Sequence, residues 1–167
     1  MEMNQSARVL LSQTTLAPAS LSPSLKKIAE EGFTKSGGAY LCAHTFHKRS
    51  QASLEDFHDI VSYEVFINSL AIDLLVKESA LPQAFAFADA LSDKWKTFEP
   101  ELKLIFSITI DRSFVNLKFH LCRPDIQWLD RDLETYSQPI IRFDSGDRIA
   151  DVLFGPFQGH KDPFSHT

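Results

Sequence analysis

Glycine is scarce, at six residues in 167. Loops that cradle phosphate groups rely on glycine to bring backbone N–H groups close to the ligand. Consistent with that scarcity, the chain carries no phosphate-binding loop, no dinucleotide fingerprint and no H-E-x-x-H zinc signature. Cysteine is scarcer still, with only Cys42 and Cys122, which excludes a disulfide-stapled scaffold. Both sit in apolar runs (AYLCAHTF and KFHLCRP) and read as reduced, buried thiols. No apolar run approaches the length of a membrane-spanning helix. The start, MEMNQSARVLLSQ, lacks the basic residues and sustained apolar core of a secretory signal, so a cytoplasmic location is expected.

A basic footprint is also missing. The net charge is −5 and unevenly spread. Residues 51–101 carry three basic and ten acidic side chains, and residues 124–167 carry four and eight. Residues 1–50 hold six basic and three acidic side chains, and residues 102–123 four and one. Phosphate backbones need clustered Lys and Arg, so nucleic acid is not an expected partner. Acidic blocks suit a basic protein partner, or they serve as a solvated surface that keeps the chain dispersed.

What is abundant is phenylalanine: fourteen residues against three Tyr and two Trp. Phe offers large buried area with no polar handle, so most of these belong in a core. The length suits one domain with a core that needs no metal. The expected boundaries are a loosely ordered arm over 1–21, a single α+β domain over 22–158 and a polar tail over 159–167.

Ser22-Pro23 has the form of a helix start, with Leu25, Ile28, Ala29 and Phe33 on one face and Gly37-Gly38 ending the unit. Ala39–Phe46 reads as a strand. Ser53-Leu-Glu-Asp56 resembles a capping box opening a short helix. Tyr63–Leu75 alternates in two opposed phases, which predicts a long strand bent at Asn68-Ser69. The clearest helix opens at Leu81-Pro82 and carries Ala84, Phe85, Ala88, Leu91, Trp95 and Phe98 as a stripe.

Lys103–Ile110 and Phe114–Leu121 alternate around a short turn, as in a hairpin. Val115, Leu117, Phe119 and Leu121 share one face, and Phe114, Asn116, Lys118 and His120 the other. A short helix is expected over Trp128–Thr135, a strand over Pro139–Phe143, and a last helix near Ile149, capped by Asp147. Together these predict an α+β fold: an antiparallel sheet of about five strands packed against helices.

Four constellations could carry chemistry. Cys42, His44 and His47 invite a zinc reading, but strand geometry puts His47 on the opposite face and no further ligands follow, so no metal or other cofactor is expected. Asp130, Asp132, Glu134, Asp144 and Asp147 invite an acid–base or cation reading. Two-residue spacing does not put the first three on one helical face, and Asp144 and Asp147 suit turn and cap roles, so surface recognition is preferred. His120 with Cys122 or Ser113 could form a nucleophile–base pair, although no nucleophile elbow accompanies it. Trp128, Tyr136 and Phe154 are either a small satellite core or interface anchors.

The segment KFHLCRPDIQWLDRDLETYSQPII resembles small bacterial toxin-immunity proteins of contact-dependent inhibition and related polymorphic-toxin systems. The resemblance lies in Phe119-His120, Arg123-Pro124, Trp128-Leu129, Asp132-Leu133-Glu134, Tyr136 and Pro139-Ile140, with Phe66–Asp73 upstream. It implies a cytoplasmic, non-enzymatic protein that neutralises a cognate toxin domain, commonly a basic nuclease; no contact residue carries over from it. The expected partner-binding patch is Asp130, Asp132, Glu134, Tyr136, Asp144 and Asp147, with Glu55, Asp56 and Asp59 as a second candidate. No membrane partner is expected. The alternative is a small enzyme using His120 with Cys122 or nearby acids at the sheet end. A third reading is a homodimer paired through a sheet edge.

Overall fold

A computed structural model of the chain describes residues 1–154. The alternation around Asp111 builds the centre of the fold. Strands β5 (Leu104–Asp111) and β6 (Phe114–Leu121) pair antiparallel in full register, from Leu104 opposite Leu121 to Asp111 opposite Phe114. On the far side of β5 lies β7 (Ile140–Asp144), with Phe106 opposite Phe143. A two-residue strand, β1 (Glu2–Met3), pairs with β7, and a three-residue strand, β4 (Ser69–Ala71), pairs with β6. The antiparallel sheet therefore runs β1-β7-β5-β6-β4. With six α-helices among the described residues and a separate two-stranded hairpin, this is the α+β class expected from the pattern.

One face of the sheet makes the core. Phe106, Ile108, Val115, Leu117, Phe119, Ile141 and Phe143 are all buried on it. Helix α5 (Ala80–Phe98) covers them with its Phe85, Ala88, Leu91 and Trp95 stripe. Phe106 stacks on Phe143 at 5.4 Å between ring centres and leans on Phe119 at 5.5 Å. Truncating any of these rings to Ala would cost about 3–5 kcal/mol. Among the described residues, no helix is long and apolar enough to cross a membrane.

Helix α2 (Pro23–Glu31) starts as the sequence dictates: the Ser22 hydroxyl accepts from the Leu25 N–H and Pro23 takes the first turn. The hairpin of β2 (Phe33–Ser36) and β3 (Ala39–Cys42) follows. Its turn residues Gly37 and Gly38 have φ of 57° and 82°, the left-handed values a tight hairpin turn needs. All four residues of β3 are buried because both faces are covered. Tyr40 and Cys42 enter the main core, and Ala39 and Leu41 enter a second cluster with Tyr63 and Ile67.

Several expectations are corrected. Within the arm over 1–21, residues 2–13 hold β1 and helix α1 (Gln5–Gln13), while residues 15–21 form no helix or strand. The Asn4 side chain accepts from the Ala7 N–H and ties this start to the chain before β7. The strand expected over Ala39–Phe46 ends at Cys42, and Ala43–Lys48 is helix α3. The long bent strand over Tyr63–Leu75 is instead helix α4 (Ile60–Ile67), then β4, then a 3-10 turn at Ile72–Leu74. Asp59 caps α4 by accepting from the Ser62 N–H, and the Arg49 guanidinium donates to the Phe66 and Ile67 carbonyls at its other end. Helix α4 is buried on nearly every side, so no polar face marks its period. The phase change at Asn68 is a helix-to-strand junction.

The helix expected over Trp128–Thr135 reduces to a 3-10 turn at Leu133–Thr135. Carbonyls that would accept helical bonds are taken instead: those of Asp130 and Arg131 by Arg142, and that of Leu133 by Asn4. The last helix, α6, runs Ile149–Phe154, and Asp147 does not cap it. Asp89 of α5 accepts from the Ile149 N–H, while Asp147 accepts from the Asp144 N–H in the preceding turn. The expected polar tail, 159–167, lies outside the described residues, as does the side chain of Phe154.

Candidate functional site

The strands dictate a second face, opposite the core, carrying Ile105, Ser107, His120 and Arg142. The chain from Cys122 to Pro139 crosses this face without a regular helix or strand, apart from the one 3-10 turn. Between the two lies a half-open pocket of ≈ 140 Å³. Strand residues Ile105, Ser107, His120 and Arg142 form its floor, and Cys122, Arg123, Ile126, Gln127, Trp128 and Leu129 form its rim and roof.

Side chains fix this crossing segment at its start and again near its end. Arg123 at its start forms a two-pronged ion pair with Glu64 of α4, at 2.7 and 2.8 Å. Glu64 is fully buried, and its two oxygens also accept from the Tyr40 N–H (2.8 Å) and the Leu121 N–H (2.9 Å). One turn on, Asn68 accepts from the Cys42 N–H and donates to the Tyr40 and Phe119 carbonyls. Together Glu64 and Asn68 stitch β3 to the part of β6 that β4 does not reach. Further along, Arg142 donates to the Asp130 and Arg131 carbonyls and pairs with Glu2. Asn4, with no exposed surface, donates to the carbonyls of Leu133, Tyr136 and Gln138 and accepts from the Ile140 N–H.

His120 is only 7% exposed. Its Nδ1 lies 2.9 Å from the Leu121 carbonyl, an acceptor, so Nδ1 carries the proton and Nε2 holds the lone pair. Burial holds the imidazole below its ordinary pKa, which keeps it neutral near pH 7. The described residues contain no fully buried side-chain N or O without a partner. Nε2 has no hydrogen bond of its own, so it retains accessible surface, and the pocket is what His120 borders. Cys122 is exposed rather than buried, a correction to the sequence expectation, and shares the pocket wall with His120. Ser113 does not join them: it sits in the β5–β6 turn at the other end of the strands.

The zinc candidates stay apart in role. Cys42 is buried, and desolvation raises its thiol pKa. His44 pairs with Glu31 at 3.0 Å. His47 lies on α3 near Phe46. No group of three or more His, Cys, Asp or Glu residues placed to hold a metal occurs among the described residues.

The acidic candidates divide. Asp130, Asp132 and Tyr136 line one shallow hollow with Trp128, Leu129 and Arg131. Glu134 is a cap: both its oxygens accept from the Gln5 N–H, at 2.9 and 3.0 Å, at the start of α1. Asp144 pairs with Lys103 at 3.3 Å and accepts from the Gly146 N–H, so it and Asp147 shape the turn after β7. Of the second patch, Asp56 closes its capping box with Ser53 and Asp59 caps α4, where the Ser62 N–H lowers its pKa. Glu55 is exposed, and among the described residues it makes no hydrogen bond or ion pair through its side chain.

Trp128 stands between these features, 39% exposed. On one side is the acidic hollow. On the other is an apolar hollow of Phe57, Val65 and Phe66, with Arg49 and Lys118 at its edge. The Lys118 ammonium lies 5.9 Å from the Trp128 ring centre. Sequence reasoning missed Glu64, Asn68, Arg49 and Arg142. The available signal was a lone Glu inside the apolar run YEVFI, where an unpaired charge would be costly.

Comparison with curated proteins returns no match, and comparison with solved structures returns none. A protein family does match, over residues 2–157, nearly the whole chain and all the elements described above. By that match the chain belongs to the family described as the Uncharacterized protein PM0498 family.

Proposed function

We propose that this chain is a non-enzymatic binding protein that presents the Trp128 ridge and its acidic hollow to a basic protein partner in the cytoplasm. In keeping with the resemblance of residues 118–141 to toxin-immunity proteins, the partner is a cognate bacterial toxin domain. The observation that carries this reading is the segment from Cys122 to Pro139. Connections longer than about 12–15 residues without secondary structure are uncommon in compact domains and tend to be functional. This one is pinned through its backbone by Asn4 and Arg142, while Trp128, Asp125, Asp130 and Asp132 remain exposed. A partly exposed Trp beside carboxylates is the composition of an interface anchor with a steering rim.

Co-expression with the protein encoded immediately upstream in the native genome tests the reading. Rescue of growth together with co-purification supports it; absence of both toxicity and complex overturns it. In such a complex, Asp130→Lys with Asp132→Lys should slow association and weaken its salt dependence, and Glu55→Lys should leave the rate unchanged.

A second reading has one specific observation in its favour. His120 and Cys122 border the same pocket, as an enzyme using that pair would require. Among the described residues no carboxylate lines that pocket to orient the imidazole, and Nδ1 is held by a main-chain carbonyl instead. A folded His120→Ala variant that keeps full cellular function would remove this alternative.

A further inference from the structure

The pocket beneath the Cys122–Pro139 segment has a chemistry independent of the protein–protein reading. Ile105 on the floor and Ile126, Trp128 and Leu129 above it make the lining mostly apolar. Its two cations are already engaged: Arg123 by Glu64, and Arg142 by Glu2 and two main-chain carbonyls. An anion entering here would find no unpaired guanidinium. Two buried polar groups of the floor are unpaired: the Ser107 hydroxyl, and the Nε2 lone pair of His120, on a side chain more than nine-tenths buried. An acceptor in an apolar recess selects a ligand that brings one donor and no charge.

Size narrows the class. The volume is ≈ 140 Å³. A protein cavity of about 150 Å³ with apolar walls takes up benzene. We propose that this pocket binds a small, uncharged, planar molecule carrying one hydroxyl or N–H donor, seated against Trp128 with its donor on His120 Nε2. Phenol has the size and the donor; toluene has nearly the same shape without one; benzoate adds charge.

The experiment is titration of the full-length protein with phenol, toluene and benzoate, followed by NMR at the Trp128 indole and the His120 ring nitrogens. Phenol should bind in the millimolar range, as expected for so few atoms. It should bind roughly fivefold more tightly than toluene, the weight of one neutral hydrogen bond, and shift the His120 Nε2 signal. Benzoate should bind more weakly than either. In His120→Phe the preference for phenol over toluene should vanish. Ile126→Trp changes only the crossing segment and fills the pocket from its roof, so it should abolish phenol binding in a folded protein. No response to phenol, equal affinity for phenol and toluene, tighter binding of benzoate, or phenol binding retained in Ile126→Trp would each overturn the assignment. Toxin co-expression does not bear on any of these outcomes.

Discussion

Glu64→Gln is the most informative single change in this fold. The carboxylate accepts four hydrogen bonds in a fully buried position, two from Arg123 and one each from the Tyr40 and Leu121 N–H groups. A carboxamide keeps the volume but replaces one acceptor oxygen with a donor. Whichever way it turns, two donors lose their acceptor and face an NH2 group. One of them is a main-chain N–H beside a buried strand, and the other belongs to a guanidinium left without its counter-charge. Breaking a buried ion pair from one side costs roughly 3–5 kcal/mol. A stranded backbone donor costs about 1–3 kcal/mol on the same physical grounds, and part of that is already counted in the first figure. The expected loss is therefore about 4 kcal/mol, a large share of the roughly 5–15 kcal/mol a domain possesses.

Arg123→Met separates the contributions. It removes the cation but leaves both main-chain N–H groups bonded to Glu64, and the position is 17% exposed, so water can reach the freed oxygens. About 2 kcal/mol is expected, below the buried-pair range because of that access. Glu64→Leu with Arg123→Met removes both charges, yet the Tyr40 and Leu121 donors stay stranded, so the double variant should remain well below wild type. Urea unfolding at pH 7 with linear extrapolation measures all three. A Glu64→Gln loss under 1 kcal/mol, or a double variant as stable as wild type, would refute the claim that this carboxylate holds β3 to β6.

Asn4→Ala should cost about 2–4 kcal/mol, since one buried amide bonds five main-chain groups, and hydrogen exchange should accelerate over residues 133–140. Stability should also fall as pH drops. His120 has its pKa lowered by burial, so below the ordinary value of 6.5 the unfolded chain binds the proton first. Its contribution is complete above that value and is lost down to the folded-state pKa; His120→Gln should flatten this part of a stability–pH profile. A thiol reagent should label Cys122 rapidly and Cys42 only on unfolding, because one is exposed and the other buried with a raised pKa. The sheet ends in strands of two and three residues, too short to template pairing, so gel filtration should give a monomer.

The central hairpin was legible to the residue at β6 because alternation is strong when one face is wet and the other dry. Helix α5 was legible for the same reason at a different period. Legibility failed where both sides of an element are buried. Strand β3 lies between two cores and helix α4 is buried on nearly every side, so their apolar residues follow no period, and the β-branched and aromatic content of α4 suggests a strand. It failed again where side chains replace secondary structure. The segment after Pro124 has acceptable helical spacing, and nothing local reveals that Asn4 and Arg142, far away in sequence, claim its carbonyls.

The same distinction governs how acidity should be weighed. Counted in the sequence, the carboxylates after Pro124 look like one patch. In the fold, Glu134 neutralises the N-terminus of α1, and Asp144 and Asp147 bond a turn, so their charge is answered inside the molecule. Asp132 spends one oxygen on the Glu134 N–H, whereas the Asp130 side chain lies exposed in the hollow beside Trp128. Replacing a structural carboxylate lowers stability first and any binding only through it, whereas replacing Asp130 should change association and leave stability within about 0.5 kcal/mol. A variant that separates the two effects at Asp130 identifies a recognition residue. A variant at Glu134 cannot, because loosening α1 also loosens the segment that Asn4 holds.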